Sequence, residues 1–362
     1  MMAGSLQRQP TVTPARRLAW RAGAVVTALA ITTLFLALSG RDPRLLADLV
    51  VRSTVGSRFG LEDLALFLTP LLLTGAAVTV TGRIGVWNIG AEGQFYAGAI
   101  GATAIGLFLP GPAWLVLPLM AASGIACGMG WILVPALARA YAGVNEIITT
   151  LLLNFVAGLL TTYLAVGPWH DRVTGALAST GRLPVRIPEI WGVVHWGFPI
   201  ALVIVLALAW LTTRTRWGYQ ITIGGANEQA ARYAGIPVRA RILGVMLLSG
   251  GLAALAGVFE VAGTVHRLQG GLANNFGYFG IVVAVLARGS CLNVLPAALL
   301  MAFILNAGIV LQTQQLTGSA VLAITGLVLF MIAIADELAH YQPVTVRPAT
   351  VAPVTVGKEA RP

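Results

Sequence analysis

Apolar residues along this chain gather into ten runs separated by short polar breaks, at about 22–39, 64–82, 90–109, 114–137, 147–166, 197–212, 242–263, 276–288, 293–311 and 318–335. A helix crossing a bilayer needs about 20 predominantly apolar residues. The pattern therefore predicts an all-α fold, a polytopic transmembrane helical bundle of about ten spans. The eighth run is short and reads equally as a half-helix. One polar break is unusually long, the loop 213–241, and it contains the run GGANEQAARYAGIP from Gly224 to Pro237. Asn227 can cap a helix there, Glu228 suits its first turn, Gly235 can end it in the left-handed conformation and Pro237 forbids its return. The spacing predicts a two-turn helix standing alone between spans. Ala230 and Ala234 fall on one face and Ala231 and Gly235 on the adjacent one, so the helix is smooth where a cleft in another protein closes over it. An ordinary amphipathic interfacial helix is the alternative, but such helices carry bulkier faces.

Composition agrees with the pattern: 57% of the 362 residues are hydrophobic and 10% charged, and the mean hydropathy is +0.84, far from the mix of a soluble domain. Charge orients the spans. With both termini cytoplasmic, 15 of the 23 basic residues fall on the inner segments, five of them in the 213–241 loop. The outer segments hold eight, and the first two of these also carry six acids. That is the positive-inside bias of an even span count. Topology and attraction to the lipid bilayer account for the net charge of +10, and no nucleic-acid partner is expected. Residues 1–21 form a cytoplasmic arm, 22–335 a transmembrane domain, and 336–362 a cytoplasmic tail rich in Pro, Thr and Val that is expected to be disordered. The basic start and first apolar run resemble a signal peptide. An uncleaved span is the better reading, because its removal would reverse the charge bias.

Chemistry is sparse. The one lysine, Lys358, is followed by Glu359, so there is no Gly-Lys-Ser/Thr phosphate loop. His170, His195, His266 and His340 all fall in loops or the tail. Cys127 and Cys291 lie in or beside apolar runs and read as packing residues, not as a metal site. No catalytic residue, metal or cofactor is expected in this chain.

Polar residues at membrane depth usually mark a pathway. The densest set is GRIGVWNIGAEGQ, Gly82–Gln94, in which Asn88, Glu92 and Gln94 open the third span among glycines. A cytoplasmic turn capped by Asn88 explains them as well. Glu146, behind Asn145, reads as a cap-region acid. Glu260 sits two-thirds through an apolar, glycine-rich span and reads as a buried, hydrogen-bonded or protonated acid near the outer face. Asn154 and Asn306 fit either a path or interhelical hydrogen bonds. Asn274, Asn275 and Phe276, with Tyr278 and Phe279, form either a turn with anchoring aromatics or part of the path.

Three segments together, NIGAEGQ (Asn88–Gln94), NEIITTLLLNF (Asn145–Phe155) and GANEQAARYAGI (Gly225–Ile236), resemble the permease subunits of ATP-binding-cassette importers of the nucleoside and simple-sugar (branched-chain amino acid/ribose-type) family. LSGGLAALAGVFEVAG and LQGGLANNFGYFGIVVAVLAR extend the likeness, which covers about residues 60–335. It implies a second permease subunit, expected as a heterodimer, a cytosolic ABC ATPase that binds the ATP and Mg, and an extracytoplasmic substrate-binding protein. It also implies a bacterial inner (plasma) membrane location and alternating access. Gly225, Asn227, Glu228, Gln229, Ala230, Ala231 and Gly235 match the family's ATPase-coupling helix, with Gln229 in place of its usual glutamate.

A secondary transporter driven by an ion gradient is the rival from another class, and it needs ionisable groups at depth. Only Glu92 and Glu260 qualify. No Lys or Arg lies inside the runs away from their ends, so the solute is expected to be small and neutral. Amides that read hydroxyls and base edges, beside rings that stack, favour a nucleoside or nucleobase compound. A simple sugar would use the same amides.

Overall fold

A computed structural model describes residues 4–9, 12–171 and 178–345. Its helices, in chain order, are α1 (Pro14–Leu38), α2 (Pro43–Thr54), α3 (Arg58–Gly82), α4 (Ala91–Phe108), α5 (Ala113–Ala142), α6 (Glu146–Val166), α7 (Gly197–Arg214), α8 (Arg216–Ala226), α9 (Glu228–Tyr233), α10 (Val238–Phe259), α11 (Phe276–Ala287), α12 (Val294–Thr313) and α13 (Gly318–Leu338). A π-helical turn, Glu260–Val265, continues α10. Four short strands complete the list: β1 (Gly4–Arg8), β2 (Glu189–Trp191), β3 (Val194–His195) and β4 (Tyr341–Thr345).

Each of the ten apolar runs falls on a helix. Among the described residues, eight helices are long and apolar enough to cross a membrane. The two that fall short are α4, whose first turn carries Glu92 and Gln94, and α11, which has 12 residues. Both are largely buried by neighbouring helices. A helix surrounded by protein need not match the lipid with its own surface.

By its internal packing the chain divides into two compact units. One unit joins the residues up to Pro43 with those from Leu322. There Arg21 of α1 donates from Nε and Nη2 to the two carboxylate oxygens of Asp336, each at 2.7 Å, a bidentate pair that fixes orientation as well as charge. In the same unit β1 pairs antiparallel with β4, Gly4 opposite Thr345 and Arg8 opposite Tyr341. Within the stretch expected to be a disordered tail, helix runs on to Leu338 and Tyr341–Thr345 forms a strand. Composition reads locally and does not see a partner strand at the other end of the chain. The rest of the tail, 346–362, lies outside the described residues.

The second unit, Arg44–Val321, is a helical bundle around α3 and α10. The apolar windows of these two spans are 78% buried, against 22–28% for α5, α6 and α7. On α6, Leu152, Phe155 and Leu159 face outward at helical spacing, a surface suited to lipid and costly in water. At the centre the packing is backbone on backbone. A Cβ on Gly257 would stand 2.0 Å from the Phe95 carbonyl oxygen, and one on Gly98 would stand 2.1 Å from that of Ala254. Glycine brings α10 against α4 closely enough to exclude side chains from between them.

Candidate functional site: a polar network and a capped loop helix

Local chemistry builds the loop helix as the sequence predicts. The Asn227 side chain accepts from the Ala230 N–H at 3.0 Å, and Gly235 adopts φ +76°. Asn227, Glu228, Gln229, Ala230, Ala234 and Gly235 are exposed, and Arg232 and Glu228 pair across one turn. The helix does not stand alone, however. An eleven-residue helix, α8, precedes it, capped by Thr215 accepting from Gly218 N–H at 3.2 Å. Gly218, Ile221 and Gly224 of α8 are buried, a three-residue spacing that marks an inward face and that a reading for long apolar runs passes over. Two assignments change with it. Ala231 is fully buried and points into this packing, leaving Ala230 and Ala234 as the smooth outward face. Gly225 belongs to the last turn of α8 and turns toward residues 83 and 84.

The polar residues at the start of α4 converge into a closed network. The Asn88 amide nitrogen donates to Gln94 Oε1 and to Ser249 Oγ, each at 2.8 Å. Its oxygen accepts from Gly90 N–H at 3.0 Å and from Gln94 Nε2 at 2.9 Å. The Ser249 hydroxyl donates in turn to the Ala77 carbonyl at 2.6 Å. Asn154 reaches in from α6, accepting from Gly93 N–H at 2.9 Å and donating to the Ile89 carbonyl at 2.8 Å. Every hydrogen-bonding atom of Asn88 is thus engaged, with the side chain wholly buried. These bonds tie α3, α4, α6 and α10 together.

Glu92 has a different task. Its carboxylate accepts from Gly277 N–H at 2.7 Å, and the N–H groups of Asn275 and Tyr278 also face it. The free amides at the N-terminus of α11 thus find an acid, the complement expected for a helix start. A Cβ at Gly277 would stand 2.2 Å from the Glu92 nitrogen, so glycine there sets the approach. Phe276 is core, between the rings of Phe67 and Phe95 at 6.0 and 6.2 Å. Asn274 and Asn275 are exposed on the turn before α11 with φ +43° and +63°. Tyr278, half-buried, stands 3.4 Å from Asn154 Nδ2.

Two expected residues do not join. Glu260 opens the π-helical turn with Thr264 as its side-chain partner. Asn306 of α12 donates to the Gly60 carbonyl at 3.1 Å, an interhelical tie. Glu146 behaves as a cap-region acid, accepting from Trp87 N–H at 3.2 Å and pairing with Arg139 at the same distance.

A second polar cluster lies at the far end of α10. The buried His195 ring accepts from Gly197 N–H through Nδ1 at 3.0 Å, and its Nε2 stands 3.4 Å from Thr264 Oγ1. Burial, reinforced by the nearby His266, pushes the His195 imidazole down to about 4, which keeps it neutral at physiological pH. Below it, Glu62 at the start of α3 accepts from Arg58 Nε at 2.7 Å and from Val193 N–H at 3.3 Å. These contacts seat the hairpin of β2 and β3. Ser249 and Glu62 were the residues the sequence did not single out. Ser249 is one hydroxyl in a run of glycines and alanines, and only its alignment with Ala77 and Asn88 in space gives it a role.

Residues 60–335 match the family model described as branched-chain amino acid transport system / permease component. The chain is 36% identical over 298 residues to the glucose ABC transporter permease protein TsgB13 of Haloferax volcanii, covering 78% of each. It is 33% identical over 242 residues to the guanosine ABC transporter permease protein NupP of Bacillus subtilis, 65% of this chain and 69% of that one. With the nucleoside ABC transporter permease protein NupB of Lactococcus lactis it shares 26% over 295 residues, 78% and 81% of the two.

Proposed function

The chain belongs to the branched-chain amino acid transport system permease family, and from that premise we propose that it is one half of the membrane channel of an ATP-driven importer of a neutral nucleoside or nucleobase compound. One observation carries the coupling: α9 is capped at both ends, pinned from behind by buried Ala231, and exposed over a small-residue face. A partner ATPase that closes on ATP would grip that face and turn the spans on either side. ATP and Mg would then reside in the partner, with a second permease and an extracytoplasmic binding protein completing a complex in the bacterial inner membrane.

The solute follows from what lies at membrane depth. The buried acids, Glu92 and Glu260, share no partner and are each held locally, so they do not form an ion-coupled relay. The spans offer no cationic side chain away from their ends to receive an anion. Exposed Asn274 and Asn275 beside Tyr278 offer amide donors and acceptors next to a ring. A simple sugar is the second reading, favoured by the relative named for glucose.

Reconstitution with the ATPase, second permease and binding protein tests both levels. Uptake should survive an ionophore while ATP remains, and unlabelled nucleosides should block it better than free monosaccharides. Ala230→Arg should abolish uptake by expelling the ATPase. Normal uptake in that variant removes the coupling assignment, and stronger competition by a monosaccharide replaces the nucleoside with a sugar.

A further inference from the structure

The segment that joins α3 to α4 lies between the two sites just described. On one side it touches the last turn of α8. A Cβ on Gly225 would stand 2.2 Å from the Arg83 carbonyl oxygen and 2.9 Å from Ile84 Cα, so here two backbones are in direct contact. The Arg83 guanidinium spans the same junction, donating from Nη2 to Thr222 Oγ1 at 3.2 Å and from Nη1 to the Gly289 carbonyl at 3.3 Å. On its other side the segment delivers Asn88 to Gln94 and Ser249, and Trp87 N–H to Glu146. Between the two ends it has little slack. Ile84 and Val86 are buried, and two tight bonds, Ile84 N–H and Val86 N–H to the Thr81 carbonyl, at 3.1 and 3.2 Å, hold its turn closed.

We infer that residues 83–90 are a relay that carries movement of the α8–α9 loop into the polar network at the start of α4, with Gly225 and Arg83 as positioning residues. A contact made of side-chain tips absorbs a shift of an ångström by changing rotamers. A contact of backbone on backbone transmits it, because close-packed groups cannot compress. The motion therefore divides at α8: one branch follows the chain into α10, and the other crosses the Gly225–Arg83 contact. Through Asn88 the second branch pulls on α4, Ser249 of α10 and the Ala77 carbonyl of α3 at once. Coupling then depends on residues that touch neither the ATPase nor the solute.

This rests on the reading of α9 as the ATPase contact, and the experiment separates the two. In the assembled four-component importer, Gly225→Ala and Arg83→Ala should leave co-purification of the ATPase intact. Uptake should fall by tenfold or more while basal ATP hydrolysis stays within about twofold, so the ATP consumed per solute moved rises. A mere packing defect lowers uptake and hydrolysis in proportion. Thr222→Val, which removes one acceptor, keeps the test alive where Gly225→Ala does not assemble, and should raise the same ratio by a smaller factor. An unchanged ratio in all three variants overturns the relay. If instead Ala230→Arg leaves the ATPase bound and uptake normal, it is the α9 reading that fails.

Discussion

At the scale of single residues, Asn88 does the most with the least. Four hydrogen bonds meet on one buried amide, and each of its partners, Gly90 N–H, Gln94 and Ser249, is itself buried. Asn88→Ala would strand several of these groups at once, and an unsatisfied buried donor or acceptor costs about 1–3 kcal/mol. The variant should lower the thermal unfolding midpoint of the purified complex by several degrees, together with uptake. A variant that keeps its unfolding midpoint but loses uptake would return Asn88 to the solute's path. The identity of such residues is legible in a sequence, while their partnership is not. Asn88, Gln94 and Asn154 stand out as polar letters in apolar runs, and Asn227 and Gly235 state their roles as cap and terminator because both roles are local. Ser249 and Ala231 need a third dimension. Nothing in the chain of letters says that one alanine of a pair faces inward, or that one hydroxyl meets an amide 161 positions away.

At the scale of elements, the apolar runs locate the apolar helices but not which of them lie at the centre. α3 and α10 are as apolar as their neighbours, and small residues at helix contacts do not single them out, since Gly124 and Gly128 of the less buried α5 also meet α10 closely. α10 holds an internal comparison. Gly257 has the Phe95 carbonyl oxygen where its Cβ would be, whereas Gly244 on the same helix has nothing within 4 Å of that position. Gly244→Ala should be neutral or raise stability slightly, since alanine favours a helix over glycine by about 0.5–1 kcal/mol. Gly257→Ala gains the same propensity but must push α4 aside, and overpacking costs typically about 1–3 kcal/mol. Thermal unfolding of the two variants in detergent should therefore move in opposite directions, and equal shifts would show that α4 and α10 are not in contact as described. α8 shows the converse limit. Its tryptophan, tyrosine and glycines fit no long apolar run, so only the Thr215 cap and the spacing of Gly218, Ile221 and Gly224 announce it.

At the scale of the whole molecule, what the importer reading requires of this chain is a matter of sides. A cytosolic ATPase can grip α9 only if α9 faces the cytosol, and a binding protein can reach the chain only from the opposite face. α7, 18 residues and apolar enough to cross a membrane, lies between the hairpin of β2 and β3 and the α8–α9 loop, so on the proposed reading these two emerge on opposite sides. Under the proposed importer reading, the five arginines of the 213–241 loop would hold that loop inside by the positive-inside bias, and the aromatic hairpin would face out. Trp191 and Tyr233 are both exposed and lie on the two sides of that span, which makes them the sites to probe. In a chain whose Cys127 and Cys291 have been replaced by alanine, Trp191→Cys should react with a membrane-impermeant maleimide applied to intact cells. Tyr233→Cys should react only once the membrane is opened. Labelling of Tyr233→Cys from outside would turn the bundle over, carrying α9 out of reach of any ATPase and ending the importer mechanism, whereas a silent Trp191→Cys beside a silent Tyr233→Cys would break the count of spans between them.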